Sequence, residues 1–224
     1  LKRGCGGPAM IPRFAIMNPE LTCTLPAYQT ACGASDILAH LMERYFTRVE
    51  HVDFTDRLIE AAMRTVLDFA HPQDYDARAE LMWAGTIAHN DLLDTGRIGD
   101  WGSHQIEHEL SALYDIAHGA GLSIVFPAWM KHVWRNDPDR FVQFSARVLG
   151  VEVAYGNKER AVELGIARLE QFYRSLGLPV RLSEAGIPEN RLREMAQKCT
   201  ANGPQGHFCE LTEEDVYQIY LLAR

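Results

Sequence analysis

Residues 103 to 119 read SHQIEHELSALYDIAHG and place three histidines, His104, His108 and His118, within fifteen positions. Histidine ligates metals and moves protons near neutral pH, and it is equally an ordinary half-buried residue satisfied by hydrogen bonds. Side chains four apart share a helical face, so His104 and His108 point the same way. Within ASDILAHLMERYF, Asp36 and His40 are also four apart, and Ile37, Leu38 and Leu41 flank them. A carboxylate beside apolar packing is costly unless it is paired or holds a cation. A plain Asp–His hydrogen bond or ion pair is the simpler reading of that pair. Together, Asp36, His40, His104 and His118 would offer one oxygen and three nitrogens to a divalent cation. Such a set suits Fe²⁺ or Zn²⁺ better than Ca²⁺ or Mg²⁺, which prefer oxygen cages. His118 stands in Ala-His-Gly-Ala-Gly, where small residues leave room around the ring. Four protein ligands also describe a closed structural zinc site, so the set alone does not establish catalysis.

The elements that must position these residues are helical in period. The segment Tyr28 to about Phe46 repeats apolar residues at three and four spacing, and Thr55 is the expected cap of the next helix. There Leu58, Ile59, Ala62, Met63, Val66 and Leu67 make one stripe. Pro72 and Asp74 punctuate before a long segment from Tyr75 to Leu93. The loop GRIGDWG, residues 96 to 102, then leads into the histidine helix. A further helix is expected from His118 to about Trp134, kinked at Pro127, and another over Asp139 to Leu149. Val162, Ile166, Leu169, Phe172 and Leu176 mark the next, stopped by Gly177 and Pro179. Two short helices close the chain, with Pro188 at the first position of one and Thr212 capping LTEEDVYQIYLLAR. The first 26 residues differ. Phe14 to Met17 read as one short strand, then a turn at Asn18-Pro19 and the irregular ELTCTLP. The fold class is therefore all-α: a connector with a short extended segment over 1–26 and one multi-helix domain over 27–224.

Composition narrows the function. The 224 residues are 47% hydrophobic and 23% charged, ordinary for a globular domain, and no apolar run approaches the length of a membrane span. A formal net charge of −8 argues against unaided binding to nucleic acid or anionic lipid. The five cysteines, Cys5, Cys23, Cys32, Cys199 and Cys209, form no CxxC pair and suit a reducing compartment. With no apolar secretory stretch in LKRGCGGPAMIPRF, the expected location is cytoplasmic. That opening lacks a methionine and is rich in Gly and Pro, so it reads as the interior of a longer chain.

The segments NPELTCTLPAYQTACGASDILAHLMERYFT, AHNDLLDTGRIGDWGSHQIEHELSALYDIAHGAGLSIVFPAWM and LTEEDVYQIYLLAR resemble the iron-containing, group III alcohol dehydrogenases. The likeness favours the branch of NADPH-dependent butanol dehydrogenases and aldehyde reductases. It implies the helical C-terminal domain of the dehydroquinate synthase-like fold, with Asp36, His40, His104 and His118 as metal ligands. His108 matches a family position close to the reacting carbon. Lys2 and Leu21 match positions near the cofactor. The implied reaction is hydride transfer between NADP(H) and a primary alcohol or aldehyde, on Fe²⁺ or Zn²⁺. Trp101 and Phe126 are candidate pocket walls, and Glu107 and Glu109 are expected to face solvent or neighbouring cations.

Family members are longer, with an N-terminal dinucleotide-binding domain and a homodimer possible in the complete enzyme. RGCGGP at residues 3 to 8 is no substitute for their phosphate loop, because Pro8 and Pro12 follow in place of a helix start. The isolated chain is expected to lack turnover and to expose apolar surface where the missing domain docks. Two rival readings stay open. His104-Gln-Ile-Glu107-His108 fits the H-x-x-E-H pattern of zinc metallopeptidases, which leaves Asp36, His40 and His118 without a role. Alternatively the chain is a non-catalytic helical module.

Overall fold

Polar side chains close the open N–H groups at several helix starts. Asp74 accepts from the Ala77 N–H, Asp137 from Arg140 and Asn157 from Arg160. Thr212 and Asp215 exchange bonds in a capping box. The computed structural model describes residues 7–71, 74–153 and 156–224, so Lys2 and Cys5 lie outside the described residues. Its helices are α1 (Ala27–Tyr45), α2 (Asp53–Phe69), α3 (Tyr75–His89), α4 (Gly102–Tyr114), α5 (His118–Val133), α6 (Pro138–Arg147), α7 (Lys158–Ser175), α8 (Leu192–Cys199) and α9 (Glu213–Leu222). Among the described residues no strand forms, and one isolated bridge joins Gln205 to Leu211. The all-α expectation holds.

Several local expectations are corrected. Phe14 to Met17 make no strand; they are exposed, and among the described residues no bridge joins them to another segment. α2 begins at Asp53, before Thr55, and Asp53 and Asp56 in its first turn complement the positive end of the helix. α3 ends at His89, because Asp91 turns the chain at φ 63° into the short 3-10 turn Leu92–Asp94. Pro188 opens a 3-10 turn, Glu189–Arg191, ahead of α8.

α5 is the centre of the molecule. Every residue from Gly119 to Met130 is buried, the pattern of a helix surrounded on all sides, and α1, α4, α7 and α9 pack around it. Two glycines allow the closest approaches. A Cβ on Gly119 would stand 2.0 Å from the backbone oxygen of Cys32 on α1, and a Cβ on Gly121 would stand 2.4 Å from Oε1 of Glu107 on α4. Ser35 Oγ donates to the Gly119 carbonyl at 2.7 Å across the first contact. The start of α5 is thereby pressed against the middle of α1, which sets His118 beside Asp36.

The loop before α4 is pinned from both sides. Arg97 donates to the Arg44 carbonyl at 3.0 Å and pairs with the buried Asp56 at 3.0 Å, while Arg140 of α6 donates to the same carboxylate at 2.7 Å. Asp100 N–H donates to the Glu43 carbonyl at 2.8 Å, and its Oδ1 accepts from His207 and Phe208 N–H at 2.8 and 2.7 Å. No helix among the described residues is long and apolar enough to cross a membrane. Cys23, Cys32, Cys199 and Cys209 are free thiols.

Candidate metal centre

Asp36, His40 and Glu43 follow at i, i+4 and i+7 along α1 and share one face. Three imidazoles converge on the first of them. His40 Nδ1 lies 3.4 Å from Asp36 Oδ1, His118 Nε2 3.5 Å and His104 Nε2 3.7 Å. The other oxygen, Oδ2, faces His89 Nε2 at 3.5 Å.

Two of the rings are held from behind by carboxylates, while His40 Nδ1 donates to the Asp36 backbone carbonyl at 2.9 Å. His104 Nδ1 donates to Glu43 Oε1 at 2.9 Å, and His118 Nδ1 donates to Glu107 Oε2. Glu43 also accepts from the backbone N–H of Trp101 at 2.7 Å and of His104 at 3.1 Å. It thus caps α4 from a different helix, where the N-cap residue Trp101 gives no side-chain bond of its own. Glu107 takes a further bond from Ser111 Oγ, in the space Gly121 leaves open. Both glutamate side chains are wholly buried. With Nδ1 carrying the proton toward a carboxylate, Nε2 of His104 and His118 is left as a lone pair aimed at Asp36. This carboxylate–histidine arrangement orients metal ligands.

Whether a cation fits can be judged from the atoms present. Asp36 Oδ1 and His104 Nε2 are buried and have no hydrogen-bond partner, a costly condition for both. Their neighbours at 3.4 to 3.7 Å are too far for good hydrogen bonds. With metal–ligand bonds of about 2.0–2.2 Å, two ligands at a tetrahedral angle stand about 3.4 Å apart. The residues fit a divalent ion. Charge is matched too. Burial pushes the Asp36 carboxyl up, but the facing His104, His40 and His89 outweigh it and hold it well below the usual carboxylate range. Burial lowers His104, and Asp36 and Glu43 together carry it up to about 9, so a cation binding at Nε2 would displace a proton there. Asp36 likewise raises His89.

The expected ligands gather around Asp36, though not as one compact foursome. Asp36, His104 and His118 present ligand atoms mutually within 4.8 Å, and so do Asp36, His40 and His89. Glu107, His108 and His118 form a third such set. His108 is half-buried, its ring 5.5 Å from that of His118. Trp101 packs edge-on to His40 and His104 and lies under the Arg44 guanidinium, so it does border the centre. Phe126 does not. It is fully buried between Phe46 and Trp129, part of the aromatic core. Glu107 is corrected as well, since its carboxylate faces inward to His118. Leu21 sits 79% exposed in the 3-10 turn Pro19–Thr22. Glu43 and His89 were missed by sequence reasoning, and Glu107 was given the wrong surroundings. The i+7 spacing from Asp36 signals Glu43 and the i+3 spacing from His104 signals Glu107; nothing local signals His89.

The C-terminal model of the Fe-containing alcohol dehydrogenase family matches residues 30–223. The chain belongs to that family. The probable NADH-dependent butanol dehydrogenase 1 of Bacillus subtilis (strain 168) is 40% identical over 97% of this chain and 58% of its own length. The NADPH-dependent aldehyde reductase YqhD of Escherichia coli (strain K12) is 31% identical over 95% and 56%. Among solved structures, NADH-dependent butanol dehydrogenase A from Thermotoga maritima superposes with a TM-score of 0.90 at 38% identity, covering 97% of this chain and 57% of that one. The chain therefore spans less than two thirds of the relatives it matches. As an Fe-containing alcohol dehydrogenase family member it does not fit the H-x-x-E-H peptidase reading, and the geometry agrees. Glu107 is committed to His118 and Ser111, and the ligand sets put His104 with Asp36 and His118 rather than with His108.

Proposed function

We propose that this chain is the metal-binding half of an alcohol dehydrogenase or aldehyde reductase that passes hydride between a nicotinamide dinucleotide and a primary alcohol or aldehyde. The observation that carries this reading is the convergence of His104 Nε2 and His118 Nε2, at 3.7 and 3.5 Å, on a buried carboxylate oxygen that has no hydrogen-bond partner, with the His40 ring beside that of His104. Asp36, His40, His104 and His118 would hold Fe²⁺ or Zn²⁺, whose chemistry when bound is Lewis acidity toward the substrate oxygen. Glu43 and Glu107 keep two of the imidazoles aimed, and Trp101 shields the same side from water. His108, at the half-buried edge beside His118, takes the alcohol proton toward solvent during oxidation and returns one during reduction. Leu21 is the described residue expected near the cofactor, as Lys2 is from the sequence alone. NADPH is the cofactor expected from the sequence, while the relative at 40% identity is named for NADH. Paired assays with the two coenzymes decide between them.

The remaining length of those relatives is expected to supply the dinucleotide site, so the 224 residues alone should not oxidise NADH or NADPH with butanal. A chimera placing the N-terminal part of the Bacillus subtilis relative before this chain should do so. Asp36→Ala should abolish that activity. A chimera equally active with Asp36→Ala, or robust turnover by the isolated chain, contradicts the proposal.

A further inference from the structure

His89, at the end of α3, is outside the ligand set that the family likeness implies, yet it is built like a ligand. Its Nδ1 lies 2.7 Å from the Gly85 carbonyl. A carbonyl only accepts, so Nδ1 carries the proton and Nε2 is the nitrogen turned to Asp36 Oδ2, at 3.5 Å. His104 and His118 are arranged in the same way, with Nδ1 on an acceptor and Nε2 toward the other oxygen, Oδ1. The His89 ring lies against His40 with centroids 4.0 Å apart, and Asp36, His40 and His89 bring one ligand atom each within 4.8 Å of the others. The two triads thus share Asp36, with His89 on Oδ2 and His104 and His118 on Oδ1. They also differ in depth: the His89 side chain is 41% exposed and that of His104 is 7%.

We propose that Asp36, His40 and His89 form a second, outer position for a divalent transition-metal cation, so that Asp36 bridges two cations when both are bound. The inference rests on the reading of Asp36, His104 and His118 as the inner position. Two imidazoles and one carboxylate select Zn²⁺, Co²⁺ or Fe²⁺ over Ca²⁺ and Mg²⁺. His40 stands between the triads, its ring 4.5 Å from that of His104, and serves the inner cation when a single one is bound. The outer position faces solvent and lacks a buried glutamate behind its histidines, so it binds more weakly.

Co²⁺ titration of the metal-free 224-residue chain, followed by visible absorption and equilibrium dialysis, tests this. Wild type should take up two equivalents per chain, the second weaker by roughly tenfold or more. His89→Ala and His89→Gln should each retain the tight equivalent and lose the weak one, whereas His207→Ala, at an exposed histidine elsewhere, should keep both. Asp36→Ala should lose both. A single Asp36-dependent equivalent in wild type, or a second one that survives both His89 substitutions, overturns the outer position and leaves the inner one standing. Absence of any Co²⁺ binding overturns the two together.

Discussion

At the scale of single residues, the centre depends on two glutamates as much as on its histidines. Glu43 accepts three N–H bonds while wholly buried, one of them from the His104 ring. Glu43→Gln and Glu107→Gln should each weaken metal binding by about 10- to 100-fold, read by competition with a chelator. An unchanged affinity in both would mean that the rings are oriented by something else. His108→Ala should leave metal content intact and slow the active chimera by about 10²-fold; loss of the metal would make His108 a ligand instead. Asp36 and His40 were legible in the sequence because the i, i+4 spacing is a local signal. The sequence places Glu107 toward solvent or a neighbouring cation, because a charged residue on an amphipathic helix is usually there. Its burial depends on Gly121 of a different helix, which no local pattern reveals.

Among the elements, the contact between α1 and α5 carries the site. Gly119→Ala would drive a methyl group into the α1 backbone and should cost about 1–3 kcal/mol, seen as a lower urea midpoint. Gly121→Ala meets the Glu107 carboxylate instead, so it should lower metal affinity through a displaced His118. A second tie runs from α2 through Asp56 to Arg97 and Arg140. Burial raises the Asp56 carboxyl, but Arg140, Gln143 and Arg97 outweigh that and hold it below its ordinary value. A depressed folded-state value adds stability that is fully present above about pH 4 and is lost as the pH falls through the lower value. Wild type should therefore lose stability below about pH 4 with a slope that Asp56→Asn lessens, and the substitution should cost about 3–5 kcal/mol at neutral pH. Thermal melts from pH 3 to 7 on both proteins would show parallel curves if Asp56 plays no such part. The helices themselves were legible from apolar period and capping residues. The strand at Phe14 to Met17 was not realised, because an apolar run becomes a strand only where a neighbour supplies its hydrogen bonds. His89 escaped notice because its place beside α1 is set by how α3 packs.

Across the whole molecule, one feature bears on behaviour in solution. Met10, Ile11, Phe14, Ile16 and Leu21 are exposed along the N-terminal segment, in a chain spanning 58% of its Bacillus subtilis relative. Apolar side chains in such number favour self-association, so sedimentation velocity should show species beyond the monomer at high concentration, and a clean monomer would count against it. The all-α class followed from period alone, while the meeting of α1, α4 and α5 required long-range packing that a single sequence does not state. The central claim is most directly tested by metal analysis of the purified wild-type chain beside Asp36→Ala. Wild type should carry iron or zinc at about one tightly held ion per chain, and Asp36→Ala should carry almost none. Equal metal content in the two proteins would contradict the account.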